Sequence, residues 1–127
     1  MVDPEELERQ HTLSTATTRY DQLRMRDALA DDDLRPLSRE EALELLALSE
    51  VVIRKAGYGR QAMVRSARSA GASWAQIGAA LGTTKQAAWE AHNRWIEDQA
   101  RQHDRTGYTG LDADSADAAR DLAGRPE

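Results

Sequence analysis

The sequence predicts an all-α fold of about five helices, with the C-terminal three packed as one tri-helical unit. Three observations carry this expectation. Every strong periodic signal is helical, with apolar residues recurring at intervals of three and four. Helix N-cap signatures recur along the chain, at Asp3-Pro4, Ser38 with Glu41, Ser73 with Gln76, and Thr83 or Thr84. Alanine supplies 22 of the 127 residues and phenylalanine none, so the core is thin and helix pairs must approach closely.

Asp3-Pro4-Glu5-Glu6 opens the first helix with an N-cap, a proline at the first helical position and acids where the helix dipole favours them. Leu13, Ala16, Tyr20 and Leu23 continue it as one apolar stripe, through threonines and serines that are poor helix formers. Asp31-Asp32-Asp33 followed by Pro36 is a break. Ser38 and Glu41 then form a capping box opening the greasiest segment of the chain. Leu43, Leu46, Val52 and Ile53, with Leu45 and Leu48 beside them, make its broad apolar face. Gly57-Tyr58-Gly59 is expected to stop that helix through left-handed glycine geometry. A third helix is expected from about Arg60 to Ala70, with Met63, Val64, Ala67 and Ala70 inward and Gly71 ending it. Past about residue 100 the pattern fades. Residues 106–110 are loop-like, one short helix fits Ser115 to Leu122, and the final four residues resemble a frayed tail. The expected organisation is an acidic helix and linker over 1–37, a helical core over 38–100, and a flexible tail over 101–127.

Composition narrows the function. No run approaches the ~18 apolar residues needed to span a bilayer, and no basic stretch followed by an apolar one opens the chain, so neither membrane nor secretion is expected. The absence of cysteine excludes disulfides, thiolate metal sites and cysteine nucleophiles. His11, His92 and His103 lack paired ligand spacing, so no metal or other cofactor is expected. The serines lack a Gly-x-Ser-x-Gly setting, and Gly57-Tyr58-Gly59 lacks the spacing of a phosphate loop. Nothing argues for an enzyme. The net charge of −5, taken as a total, argues against a polyanionic partner. Its distribution argues otherwise: residues 1–50 carry −7, residues 51–100 carry +4 and the last 27 carry −2. From Arg54 to Arg94 seven bases face a single acid, Glu90.

The informative stretch is Ser73-Trp74-Ala75-Gln76-Ile77-Gly78-Ala79-Ala80-Leu81-Gly82-Thr83-Thr84-Lys85-Gln86-Ala87-Ala88-Trp89-Glu90-Ala91-His92. Ser73 and Gln76 open a very short helix whose Ile77 and Leu81 share a buried face. Gly78 between them marks close approach of a neighbouring helix. Gly82 supplies the turn, Thr83 or Thr84 caps the next helix, and Ala88, Ala91 or His92, and Trp95 line its inner face. Two short helices joined by a glycine-containing turn describe a helix-turn-helix, here over 73–93. Residues 60–96 resemble the helix-turn-helix of bacterial transcription regulators, including the related motif of sigma-factor region 4. They are most similar to a pattern of small regulators from high-GC bacteria, Ser-Trp-x-x-Ile-Gly-x-x-Leu-Gly-x-(Ser/Thr)-(Arg/Lys)-Gln-Ala-Ala-Trp. Thr83 departs from it, standing where such motifs usually carry Val or Ile.

The resemblance implies that the helix over 84–99 enters the major groove N-terminal end first. On that geometry Thr84, Lys85, Gln86, Trp89 and Asn93 contact bases, with Glu90 also outward. Ser73, Arg60, Arg65, Arg68 and Arg94 contact phosphates, which set affinity more than sequence. Simpler readings stand beside these. Trp89 at helical spacing suits a core as well as a groove, and Trp95 and Ile96 suit packing against the Leu-rich second helix. Arg65 and Arg68 suit ordinary surface. The expected function is sequence-specific DNA binding in transcriptional control, as a homodimer, on double-stranded DNA of a bacterial cytoplasm and nucleoid. The Leu-rich helix is expected to cover the tri-helical unit or meet its twin. The main alternative keeps the helix-turn-helix as a scaffold that binds RNA polymerase, a sigma factor or another regulator. A small-molecule sensor fits poorly, because so thin a core leaves little room for a ligand pocket.

Overall fold

The structure, a computed structural model, describes residues 2–30 and 35–127. The acidic break expected at Asp31–Asp33 lies outside the described residues. All regular elements among the described residues are helical: α1 (Pro4–Gln10), α2 (Leu13–Ala28), α3 (Arg39–Tyr58), α4 (Arg60–Ser69), α5 (Trp74–Leu81), α6 (Lys85–Thr106) and α7 (Ala113–Ala123). They form two compact units, Met1–Gly59 and Arg60–Glu127. The expected divisions at residues 37 and 100 are therefore replaced by one between α3 and α4. No helix among the described residues is long and apolar enough to cross a membrane.

In the first unit the expected single helix is two. Asp3 caps α1 through the Glu6 N–H, while Thr12 and Thr15 form a reciprocal capping box that restarts the chain as α2. The threonines that weaken helix propensity thus become its N-terminus, and Thr17 and Thr18 return their hydroxyls to the carbonyls of Leu13 and Ser14. Ser38 and Glu41 box the start of α3 as expected. Leu7, Ala16, Leu23, Leu48 and Val51 are the buried core, with Tyr20, Leu37, Leu45, Ala47 and Val52 packed against it. Arg19 grips Glu44 through two hydrogen bonds of 2.9 and 3.0 Å, and Arg26 pairs with Glu41, joining α2 to α3. The Tyr58 hydroxyl donates to Glu8 at 2.8 Å and joins α3 to α1.

Two expectations fail on α3. Leu43, Leu46 and Ile53 belong to the expected inner face but are 49, 66 and 67% exposed. The helix is apolar over more of its circumference than α1 and α2 cover, and its Leu48–Val51 side was the one buried. Gly57 and Gly59 also do not end α3 in left-handed geometry. Gly57 is helical and Gly59 caps with φ −89°.

In the second unit, Val64, Trp74, Ile77, Ala88, Ile96, Ala119 and Ala123 are the buried core. Trp95 and Ile96 pack in this core, where packing against the Leu-rich helix was expected. α4 runs close to its expected bounds with Val64 inside, but Met63 is 61% exposed and Ala70 is outside as well. The largest departure is the C-terminal stretch. Asp112 caps α7, whose Ala116, Ala119 and Ala123 are buried, so residues expected as a flexible tail complete the core. Arg120 holds Glu97 of α6 through two hydrogen bonds of 2.8 and 3.1 Å. The loop before α7 folds back on α6, with the Leu111 N–H donating to the Gln99 carbonyl.

Candidate nucleic-acid interface

The turn between α5 and α6 is built from local chemistry. Ser73 accepts from the Gln76 N–H, and the Gln76 side chain accepts from the Ser73 N–H, fixing where α5 begins. Two turns later Gly82 takes the left-handed conformation, φ 72°, and its N–H returns to Ala79. The Thr83 N–H donates to the Gly78 carbonyl at 2.8 Å. Thr84, rather than Thr83, then caps α6 through the Ala87 N–H. Gly78 is buried where the chain re-enters as α6. A Cβ there would lie 2.8–2.9 Å from the backbone of Thr84 and Lys85, so no other residue fits without moving α6. Leu81, expected on the buried face beside Ile77, is 38% exposed because α5 stops before a neighbour covers it.

The underside of α6 is unusually polar for a core. His92 is only 1% exposed and lies between the rings of Trp95, stacked at 5.4 Å, and Trp74, at 5.6 Å. Its Nδ1 is 2.8 Å from the Gln61 side-chain oxygen, which can only accept, so Nδ1 carries the proton. Burial, then the positive charges of Arg65 and Arg68, hold the ring below its usual pKa. A neutral donor to Gln61 is the consistent state.

The C-terminal residues meet the same elements. The Trp74 indole donates to the Ala123 carbonyl and the Trp89 indole to the Gly124 carbonyl, both at 2.7 Å. Arg68 donates to the carbonyls of Leu122 and Ala72 and lies 5.3 Å over the Trp74 ring. The bonds to Leu122, Ala123 and Gly124 satisfy carbonyls that the end of α7 leaves open. Trp74 is fully enclosed.

The expected contact residues separate accordingly. Thr84, Lys85 and Gln86 are exposed at the start of α6, and the Gln86 amide donates to Glu90 one turn on. Arg94 is exposed further along, while Asn93 is half-buried at the edge of the face. Trp89 is half-buried with its only donor committed to Gly124, which suits a support and not a base reader. Arg60 and Arg65 are exposed, Arg65 with its guanidinium 5.7 Å from the Trp95 ring. Arg68 is spent on backbone carbonyls, and Ser73 has its N–H and oxygen engaged in the capping box. The partners that sequence reasoning missed are Gln61 and the carbonyls of Leu122, Ala123 and Gly124. Only Gln61 has a side chain to betray it. Among the described residues no cluster of three His, Asp or Glu side chains is arranged to hold a metal ion. No protein-family model, curated protein or solved structure matches the chain.

Proposed function

We propose that the chain is a sequence-specific DNA-binding regulator of bacterial transcription, acting as a homodimer, in which α5 and α6 are the two helices of a helix-turn-helix. The observation that carries this reading is the approach of the α6 N-terminus to Gly78, closer than any side chain permits, followed by an exposed Thr84-Lys85-Gln86 end. A sharp helix pair with a polar leading end is what a major groove admits. Lys85 and Gln86 read base edges, with Thr84 and Asn93 beside them. Glu90, which the Gln86 amide reaches, is suited to accept from a cytosine amino group. Arg60, Arg65 and Arg94 neutralise phosphates. Arg68 and Trp89 act by holding the C-terminal residues in place.

A second reading, a scaffold that binds RNA polymerase, a sigma factor or another regulator, draws on the acidic first unit and its exposed apolar side chains. Selection from random duplex DNA with the full chain separates the two. The DNA reading expects one enriched sequence whose binding drops about 10- to 100-fold in Lys85→Ala or Gln86→Ala. A selection that enriches nothing overturns it in favour of the scaffold.

A further inference from the structure

We infer that the outer face of α3 pairs antiparallel with α3 of a second copy of this chain. The inference rests on the dimeric part of the function proposed above and not on DNA binding. The exposed stripe of α3 is Leu43, Leu46, Glu50, Ile53 and Gly57, at intervals of three, four, three and four. That is the seam of a two-stranded coiled coil, positions a and d of a heptad repeat. Leu48, on the opposite side, is wholly buried against the first unit's own core, so the seam faces away from it. Leu43 lines a shallow groove with Val2, Leu7 and Gln10 of the α1 region, and Leu46 lines another with Tyr20 and Ala28 of α2.

Charge and size choose the occupant. On the flanks of the seam stand Ala42, Ala47, Ser49 and Ala56, all small, so a second helix can approach closely. The two charged flanking positions are Glu40 near the N-terminus of α3 and Arg54 near its C-terminus. In a parallel twin Arg54 would face the partner's Ser49 and Glu40 would face no residue of the helix, so the two charges would go unpaired. An antiparallel twin centred near Leu48 and Ser49, the middle of α3, sets Leu43 on the partner's Ile53, Ile53 on the partner's Leu43, and Glu40 beside the partner's Arg54 at both ends. Such a two-fold interface is self-complementary, the form most homodimers take. The one flaw is Glu50, which meets the partner's Leu46 and keeps its charge satisfied by Arg54 of its own helix at 3.0 Å. It costs affinity while excluding the alignments that would bury it against itself.

Sedimentation of the full chain across micromolar concentrations tests this, with circular dichroism to verify that each variant stays helical. The chain is expected to dimerise. Leu46→Glu and Ile53→Glu, both at exposed positions, should each weaken the dimer by about tenfold or more. Glu50→Leu should tighten it. Glu40→Arg, which sets like charges together at both ends, should weaken it more than the neutral Glu40→Gln does. Because the chain has no cysteine, orientation is read directly with a short bismaleimide. Ser49→Cys, near the two-fold axis, should cross-link to its twin and Gly57→Cys should not. A monomer at every concentration overturns the inference, as does a dimer indifferent to these substitutions. Equal cross-linking at both positions overturns the antiparallel arrangement. DNA binding that persists in a monomeric Leu46→Glu variant leaves the reading of α5 and α6 intact.

Discussion

In residues 60–127 Trp74, Ile77, His92 and Ile96 are enclosed and Met63, Leu81 and Tyr108 stand outside, whereas in residues 2–59 the exposed large apolar side chains are more numerous and include Met25, Leu29, Leu43, Leu46 and Ile53. The difference lies in what covers each central helix. α6 is packed by α4, α5 and α7, and the polar atoms it buries all find partners. Among the described helices of its own unit, α3 packs against α1 and α2, one of them seven residues long, and much of its apolar circumference is left over. The second unit is finished as it stands and presents a polar edge. The first carries surplus apolar surface of the kind that a partner covers.

The sharpest way to break this comparison is to remove the centre of the finished unit. Trp74→Ala should cost about 3–5 kcal/mol, since it leaves a large cavity and frees the Ala123 carbonyl. All three tryptophans lie in residues 60–127, so indole fluorescence during urea unfolding follows that unit alone through Trp89 and Trp95. An unchanged midpoint would mean that α7 and Trp74 are not a common core. Within the first unit, Leu48→Ala should cost about 2–5 kcal/mol by thermal circular dichroism. Leu46→Ala, two residues away, should change monomer stability by less than about 0.5 kcal/mol. Similar losses at the two positions would erase the distinction between the covered and uncovered sides of α3.

What was legible in the sequence is what neighbouring residues decide. The boxes at Ser38 and Ser73, the turn at Gly82 and the close approach at Gly78 all rest on partners within a few positions. The all-helical class follows from the same local signals. What was not legible depends on distant groups. Trp74 and Ala123 are 49 positions apart, and the acceptor is a backbone carbonyl that every residue type supplies. The buried side of α7 is three alanines, too weak an apolar signal to distinguish a packed helix from a tail. For α3, an all-round apolar helix does not reveal which side its neighbours take. The candidate contact residues were legible as types, but Arg68 and Trp89 are turned inward by carbonyls whose position only the fold sets.

Smaller effects sharpen the comparison further. Gly78→Ala should cost about 1–3 kcal/mol, because its Cβ meets backbone that cannot swing aside. If the fluorescence midpoint is unmoved, α6 does not approach α5 as closely as described. The smallest effect is the pH dependence of the second unit. His92 is held neutral in the folded state, its pKa lowered by burial and then by Arg65 and Arg68. The unfolded chain therefore binds the extra proton first, so this contribution is constant above the ordinary histidine value of about 6.5 and stability falls as pH drops below it. His92→Gln should flatten that fall in the fluorescence-monitored unfolding between neutral and mildly acid pH. A fall of the same size in the variant would assign the acid sensitivity elsewhere.

The central claim, that the finished unit reads DNA through the leading end of α6, is tested most directly by the salt dependence of binding to a selected duplex. With phosphate contacts from Arg60, Arg65 and Arg94, log affinity should fall linearly with log salt, at a slope near −0.9 per phosphate engaged. Arg94→Ala should make that slope shallower by about one. An affinity that barely responds to salt, or a slope untouched in Arg94→Ala, Arg60→Ala and Arg65→Ala alike, would contradict the account.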